Sequence, residues 1–200
     1  MPDTTAKVSI RDTAKAVIRA IDDAGENPTK LRQGILEATD PLRRRADLLD
    51  LGTKRLANHI EANSKHLYYD GELSITLDRV PTGRVIPPHD HGLWEAVLVC
   101  TGSLQHAIYQ RADDGSVEGY AELELVEDRV IQPGDLALVI PPAEIHSFEA
   151  LEEDTWLINV VGGNYRAHRN YFNIEAQTVV YAKAGTYRAS PPPAPVGATA

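Results

Sequence analysis

The chain has 200 residues, of which 42% are hydrophobic, and this size and composition suit one compact domain with short additions. Its net charge of −9, without a long basic run, argues against a nucleic-acid partner. Its apolar runs fall far short of the ~20 residues that span a bilayer. A single cysteine, Cys100, allows neither an internal disulfide nor a cysteine-only zinc site, so any metal must be held by histidine and carboxylate. We therefore expect a soluble, cytoplasmic protein without nucleic-acid or membrane partners.

The first third of the chain, residues 1–64, has the periodicity of helices. Its apolar residues recur at every third or fourth position. A break at Pro28 separates a first helix from a second at about residues 30–39, and Asp40-Pro41 is a typical start for a third. The pattern predicts an N-terminal helical region with three helices.

The period changes to two at about Lys65, and short strand-like runs continue to residue 184. Many short strands with Gly and Pro between them predict an antiparallel sandwich or barrel over residues 65–184. We expect the proline-rich residues 185–200 to form a disordered tail. The predicted strands are Glu72–Val80, Trp94–Cys100, Leu104–Arg111, Tyr120–Val126, Leu136–Ile140 and Thr155–Val161.

Three of the seven histidines are arranged as metal ligands would be. His89 and His91 are two residues apart and Glu95 has the same parity, so one continuous strand would aim all three side chains at the same side. His146 begins a later strand-like run and is the natural third imidazole. Imidazole suits Fe(II), Zn(II), Ni(II) and Cu(II), and an added carboxylate also accommodates Mn(II). The pattern indicates one metal site, although His-x-His also occurs by chance in exposed strands.

The spacing around these residues resembles the first motif of the cupin superfamily, Gly-x5-His-x-His-x3/4-Glu-x6-Gly. The residues that fill this motif without a gap are Gly83, His89, His91, Glu95 and Gly102. The second cupin motif is matched only loosely, in the segment that ends at His146. The resemblance implies a mainly β fold: a double-stranded β-helix, the cupin jelly roll, with the N-terminal α-helices packed on its outer face.

Within that superfamily the chain resembles the cysteine dioxygenase branch, the thiol dioxygenases. The likeness rests on the helical first third, on the segment Pro88-His89-Asp90-His91-Gly92-Leu93-Trp94 and on the segment Pro141-Pro142-Ala143-Glu144-Ile145-His146-Ser147. In that branch three histidines hold Fe(II), and O₂ adds to a substrate sulfur bound to the iron. The resemblance places Lys65 near the position of the arginine that binds the substrate carboxylate. Lysine would act there as a point charge, and a solvated lysine is the alternative.

Two departures from that branch affect the chemistry. Glu95 stands where thiol dioxygenases have Cys or Gly, so it becomes a candidate fourth ligand or acid–base group. The Ser-x-His-x-Tyr relay of the branch is absent, because Leu157-Ile158-Asn159-Val160-Val161 contains none of its three residues. A set of three histidines and one glutamate is instead found in other cupin oxygenases and in some metal-dependent isomerases and oxidases.

Strand parity assigns the remaining candidates to faces of the barrel. Trp94, Leu98 and Cys100 have the opposite parity to Glu95, so we expect them outside the barrel, against the N-terminal helices. His106 is a candidate substrate-binding residue in the cavity, and a hydrogen-bonded barrel histidine is the alternative.

Other side chains are candidates without a ranking. Asp90 or Glu144 is a candidate partner for the second ring nitrogen of a ligand histidine. His59 and His168 are expected at the surface. The candidate phenol donors are Tyr68, Tyr69, Tyr109 and Tyr165.

Together with the predicted metal site, the resemblance implies a mononuclear non-haem Fe(II)-dependent dioxygenase for a small organic substrate, with a thiol that bears a carboxylate as the most specific option. Fe(II) is the expected metal, with Mn, Ni or Zn as alternatives, and the expected partners are the substrate and O₂. Two other functions stay open: an O₂-independent isomerase or hydrolase that uses Zn or Mn, and a non-catalytic ligand-binding cupin. The sequence leaves the oligomeric state open, with a homodimer as one option.

Overall fold

The structure is a computed structural model that describes residues 7–54, 64–184 and 187. The predictions for His59 and for most of the tail at 185–200 therefore lie outside the described residues. Within that tail Tyr187 is described, and its ring stacks on Tyr171 with the centroids 4.8 Å apart. None of the described helices is both long and apolar enough to cross a membrane.

Two α-helices precede the strands, and each begins at a side-chain cap. Helix α1 spans Ile10–Ala24, and its Ser9 and Asp12 form a capping box in which each side chain accepts a hydrogen bond from the other residue's backbone N–H. Helix α2 spans Pro28–Arg43 and is capped by Asn27. A short 3₁₀ helix follows at Leu48–Asp50.

The prediction of a third helix that begins at Asp40-Pro41 is wrong, because α2 continues through Pro41 to Arg43. Proline is unfavourable inside a helix since it lacks an N–H group and crowds the preceding turn. Here it lies in the last turn, where the Asp40 carboxylate binds Arg43 at 2.7 Å and Arg44 at 2.6 Å. These ion pairs lie where the helix ends.

The described residues contain twelve strands in two antiparallel sheets. The first sheet has the order β1-β2-β3-β10-β5-β8, and the second has the order β12-β11-β4-β9-β6-β7. The strands are β1 Thr53–Lys54, β2 Lys65–Tyr69, β3 Ser74–Val80, β4 Val85–His89, β5 Glu95–Thr101, β6 Leu104–Arg111, β7 Leu123–Ile131, β8 Leu136–Val139, β9 Ile145–Ala150, β10 Thr155–Val161, β11 His168–Asn173 and β12 Thr178–Lys183. Since the chain passes repeatedly from one sheet to the other, the facing sheets form the predicted jelly roll. The predicted strand at 120–126 is displaced towards β7. Strands β1, β2, β11 and β12 have no counterpart among the predicted strands, and β1 lies in the region that was predicted to be helical.

The helices cover the outer face of the first sheet. On β5, Leu98 and Cys100 are buried in one apolar cluster with Val17 of α1 and Ile35 of α2, and Trp94 packs against that cluster. The alternate β5 residues belong to a second cluster between the sheets, with members such as Val97, Val99, Leu104 and Leu157. The predicted positions of Trp94, Leu98 and Cys100 are therefore confirmed.

The prediction that His89, His91 and Glu95 share one strand is wrong. Strand β4 ends at His89 and β5 begins at Glu95, and these strands belong to different sheets. Between them the chain turns at Gly92, whose φ of +63° is a conformation that glycine adopts readily. The turn is anchored by Asp90, whose carboxylate accepts hydrogen bonds from the backbone N–H and the side-chain amide of Asn170 at 3.0 and 2.7 Å. His91 therefore lies on a fixed turn between the sheets.

Candidate metal centre

Three imidazoles meet between the two sheets. His89 and His146 are directly paired residues of the adjacent antiparallel strands β4 and β9, so the backbone ladder fixes their separation. His91 approaches from the turn, and its Nε2 atom lies 3.1 Å from Nε2 of His89 and 3.2 Å from Nε2 of His146. The three residues are 2%, 7% and 1% exposed, respectively. The structure thus brings together the three histidines that the sequence singled out.

The chemistry and spacing of these nitrogens fit one metal ion. His89 Nδ1 lies 2.8 Å from the carbonyl oxygen of Pro87, so this nitrogen carries the proton and Nε2 keeps its lone pair. Burial holds the pKa values of His89 and His146 well below the usual range, so both rings are neutral. Two ligand atoms that each lie about 2.1 Å from one ion are about 3.0 Å apart when the ligand–ion–ligand angle is a right angle. The two separations from Nε2 of His91 are close to that value, and the ligand atoms of all three residues lie within 4.8 Å of one another.

Glu95 adds a carboxylate from the opposite sheet. Its Oε2 atom lies 3.0 Å from Nε2 of His91 and 3.6 Å from Nε2 of His146. Its other oxygen, Oε1, accepts a hydrogen bond of 2.5 Å from the phenol of Tyr165. Burial acts to raise the pKa of Glu95, but His91, His146 and Tyr165 favour the carboxylate and lower the pKa to about 2. Glu95 is therefore ionised, with one oxygen directed at the imidazoles.

Of the four candidate phenol donors, Tyr165 is the one that hydrogen-bonds to Glu95. It lies on the loop between β10 and β11, and its ring centroid is 4.9 Å from that of His91. Burial and the nearby charge of Glu95 raise the pKa of Tyr165 well above its usual value, so the phenol keeps its proton. The phenols of Tyr68 and Tyr109 instead contact the side chains of Asp70 and Ser147, and Tyr69 is exposed.

His106 contacts the ring nitrogen of His146 that faces away from the cluster. It is fully buried on β6, and its Nε2 atom lies 3.2 Å from Nδ1 of His146. Burial lowers the pKa of His106 to about 4, so this ring is neutral and its Nε2 can accept the His146 Nδ1–H. His106 therefore meets the ring nitrogen that faces away from the cluster.

Neither of the two carboxylates that were candidates for this supporting role fills it in the described residues. Asp90 anchors the turn at Asn170, and no hydrogen bond joins Glu144 to an imidazole within the described ranges. Burial raises the pKa of Glu144. The Nδ1 atoms of His89 and His146 instead contact the carbonyl oxygen of Pro87 and the ring of His106.

Lys65, the candidate for binding a substrate carboxylate, is not brought to the imidazoles. It is paired with Leu77 across β2 and β3, and Leu77 packs in the cluster beneath the helices. Directly paired side chains lie on the same face of a sheet, so Lys65 faces outwards. Its ammonium group donates to the carbonyl oxygen of Leu49. His168, predicted at the surface, is exposed on β11.

Arg169 is a site residue that the sequence analysis did not identify. It has the parity of Tyr171, which is paired with His89 across β11 and β4. Its guanidinium carbon lies 5.8 Å from the ring centroid of Tyr165, and its positive charge helps to lower the pKa of His89. Its buried Nε atom has no hydrogen-bond partner, and no ion pair to Arg169 occurs in the part of the chain that the structure describes.

Neither the comparison with protein-family models nor that with curated proteins finds a match. Among solved structures, the chain is similar to KdgF from Halomonas sp., with 22% identity, a TM-score of 0.39, and coverage of 50% of this chain and 79% of that one. An RmlC-like cupin from Shewanella frigidimarina is 18% identical over 50% of this chain and 75% of its own, with a TM-score of 0.38. A cupin superfamily protein from Desulfitobacterium hafniense is 14% identical over 60% and 92%, with a TM-score of 0.40.

Proposed function

We propose that this chain is a cupin of the cysteine dioxygenase-like branch, and that it acts as a mononuclear non-haem Fe(II)-dependent dioxygenase on a small organic acid. The observation that carries the proposal is the buried cluster of His89, His91 and His146, in which one ligand atom from each residue lies within 4.8 Å of the others. These imidazoles are the proposed ligands. The choice of Fe(II) among metals that bind imidazole rests on the resemblance to thiol dioxygenases.

Glu95 is the proposed fourth ligand. Its ionised carboxylate lowers the net charge of a divalent site from +2 to +1, because the three imidazoles contribute none. When bound, iron would orient the substrate beside O₂ and conduct electrons between them. The protein's own part is to exclude water and to hold the four donors in place, which the burial of all four side chains supports.

Arg169 is the proposed anchor for the substrate carboxylate, in place of Lys65. A partly buried guanidinium without an anionic partner is unfavourable, and a carboxylate can satisfy it through two parallel hydrogen bonds. Arg169 lies beside Tyr165 and on the same face of β11 as the residue paired with His89, so an acid bound there would reach the metal ligands. This supports a carboxylate-bearing substrate, and a thiol acid is the first compound to test.

Metal analysis of protein purified without chelator, followed by oxygen-electrode assays, tests the proposal. We expect about one iron per chain and O₂ uptake with small thiol acids. Replacing His89, His91 or His146 by Ala should each remove most of the metal, whereas His168→Ala should leave it in place. Turnover with Zn or Mn in the absence of O₂ would contradict the dioxygenase assignment and would indicate an isomerase or hydrolase instead. Metal binding without turnover of any compound would favour a ligand-binding protein.

The role of Arg169 has its own test. Arg169→Leu should raise KM for carboxylate substrates by about tenfold or more, the effect of losing a charge-assisted hydrogen bond. Arg169→Lys should recover only part of this loss, since lysine cannot bind both oxygens. Arg166→Leu, a change at an exposed arginine of the same segment, is the control. Equal KM values in all four proteins would remove Arg169 from the site.

A further inference from the structure

We infer that Tyr165 keeps Glu95 a one-oxygen ligand and thereby keeps two neighbouring coordination positions open for substrate. The inference rests on the proposed function, because it takes Glu95 as a metal ligand. It adds a positioning role for a side chain that does not itself reach the ion.

The two oxygens of Glu95 have different partners. Oε2 lies 3.0 Å from Nε2 of His91 and faces the imidazoles, whereas Oε1 lies 2.5 Å from the phenol oxygen of Tyr165. A short hydrogen bond from O–H to an ionised oxygen is among the strong ones in proteins. The hydrogen bond therefore opposes binding of Oε1 to an ion that Oε2 can bind.

The phenol is itself held firmly. The ring of Tyr165 packs on His91, with the centroids 4.9 Å apart and the planes 59° apart. The guanidinium of Arg169 lies 5.8 Å from the ring centroid. These contacts oppose a movement of Tyr165 with Glu95 if both carboxylate oxygens turn towards the ion.

The number of carboxylate oxygens on the ion decides what else can bind. A six-coordinate ion with three imidazoles and one carboxylate oxygen has two positions left. A chelating carboxylate would take one of them. A substrate that binds through two atoms therefore needs Glu95 to stay bound through one oxygen, and the Tyr165 phenol meets that need.

Replacement of Tyr165 by Phe tests this role, because it removes the donor and keeps the ring. The protein is loaded with Co(II), and visible absorption follows the binding of azide, which needs one position, and of acetohydroxamate, which needs two. In Tyr165→Phe we expect acetohydroxamate binding to weaken by about tenfold or more relative to azide binding, on the scale of one charge-assisted hydrogen bond. Tyr109→Phe, which removes a phenol that contacts Ser147, should leave the ratio of the two affinities unchanged. An unchanged ratio in Tyr165→Phe would overturn the inference.

A measurement on the unaltered protein covers the case in which Tyr165→Phe fails to fold. The infrared carboxylate bands of Zn-loaded protein labelled with ¹³C-glutamate separate one-oxygen from chelating coordination. One-oxygen coordination, lost in Glu95→Gln, is expected, and a chelating band in the unaltered protein would overturn the inference. Failure of the protein to bind Co(II) or Zn(II) at all would overturn the proposed function as well, whereas metal binding with an unchanged affinity ratio would overturn the Tyr165 role alone.

Discussion

The Nε2 atom of His106 lies 3.2 Å from Nδ1 of His146, so one fully buried imidazole orients another. Removing such a partner from a ligand histidine typically lowers metal affinity by about 10- to 100-fold. We expect His106→Ala to show a loss of this size in a competition titration with a coloured chelator. His106→Gln, which keeps an acceptor, should recover part of the affinity. Equal affinities in all three proteins would mean that His146 needs no support from β6.

Glu95 decides between a site with four ligands and a site with three histidines alone. Glu95→Gln keeps the size of the side chain and removes its charge, so turnover should fall by about 10²-fold or more, as on losing a positioned electrostatic group. Oxygen-electrode kinetics on iron-loaded protein measures this fall. If Glu95→Gly instead keeps or raises O₂ uptake with small thiols, the carboxylate is dispensable and the site is a three-histidine thiol site.

The apolar layer between the helices and the first sheet stabilises the fold but is not part of the candidate metal centre. Leu98→Ala removes a side chain that is 1% exposed there, and truncation of a buried leucine costs about 2–5 kcal/mol of unfolding free energy. Chemical denaturation should show this loss, while the content of bound metal stays that of the unaltered protein. Leu125→Ala, at a leucine that is 54% exposed, should change stability by no more than about 0.5 kcal/mol. A loss of bound metal in the folded Leu98→Ala protein would show that this layer and the candidate metal centre are coupled.

Cys100 is predicted to be inert. Burial disfavours the thiolate and raises the pKa of Cys100 from 9.0 to about 12. At about pH 8 the folded protein should therefore react with an aromatic disulfide reagent far more slowly than the unfolded protein does. Because the unfolded chain ionises its cysteine first, this residue's contribution to stability is lost as pH rises from about 9 to about 12. Cys100→Ala should not show that part of the loss of stability at alkaline pH. Rapid reaction of the native protein with the disulfide reagent would contradict the prediction that Cys100 is inert.

The alternation of side chains between the two faces of one strand was predictable from the sequence, because it depends only on local geometry. Leu98 and Cys100 lie on the same strand as Glu95, so their opposite parity placed them correctly beneath the helices. The same argument failed between His89 and Glu95, since the turn at Gly92 moves the chain to the other sheet. The imidazoles and the carboxylate approach one another because the sheets face each other, which parity along a single strand does not describe.

Tyr165 and Arg169 could not be selected from the sequence. Tyr165 is 70 residues from Glu95, on a loop, and its hydrogen bond has no local pattern. Arg169 lies on β11, a strand whose sequence His-Arg-Asn-Tyr-Phe-Asn alternates too weakly to have been predicted. Their roles arise from the packing of the last strands beside β4. Lys65 was selected as a substrate-binding candidate from its position along the chain. That position does not show which face of β2 the side chain occupies, and the structure places it on the outer face.

The division of the proposed ligands between the two sheets has a consequence for folding. His89 and His146 belong to the second sheet, Glu95 begins a strand of the first, and His91 lies on the connection between them. In any partly folded species whose sheets have separated, the carboxylate is parted from the imidazoles, so retention of a tightly bound ion reports that the sheets are docked. By mass action, an ion that binds only the docked form makes separation of the sheets rarer. The proposed centre would thus hold the two sheets together, and the rate of metal release on heating would report the rate at which they separate.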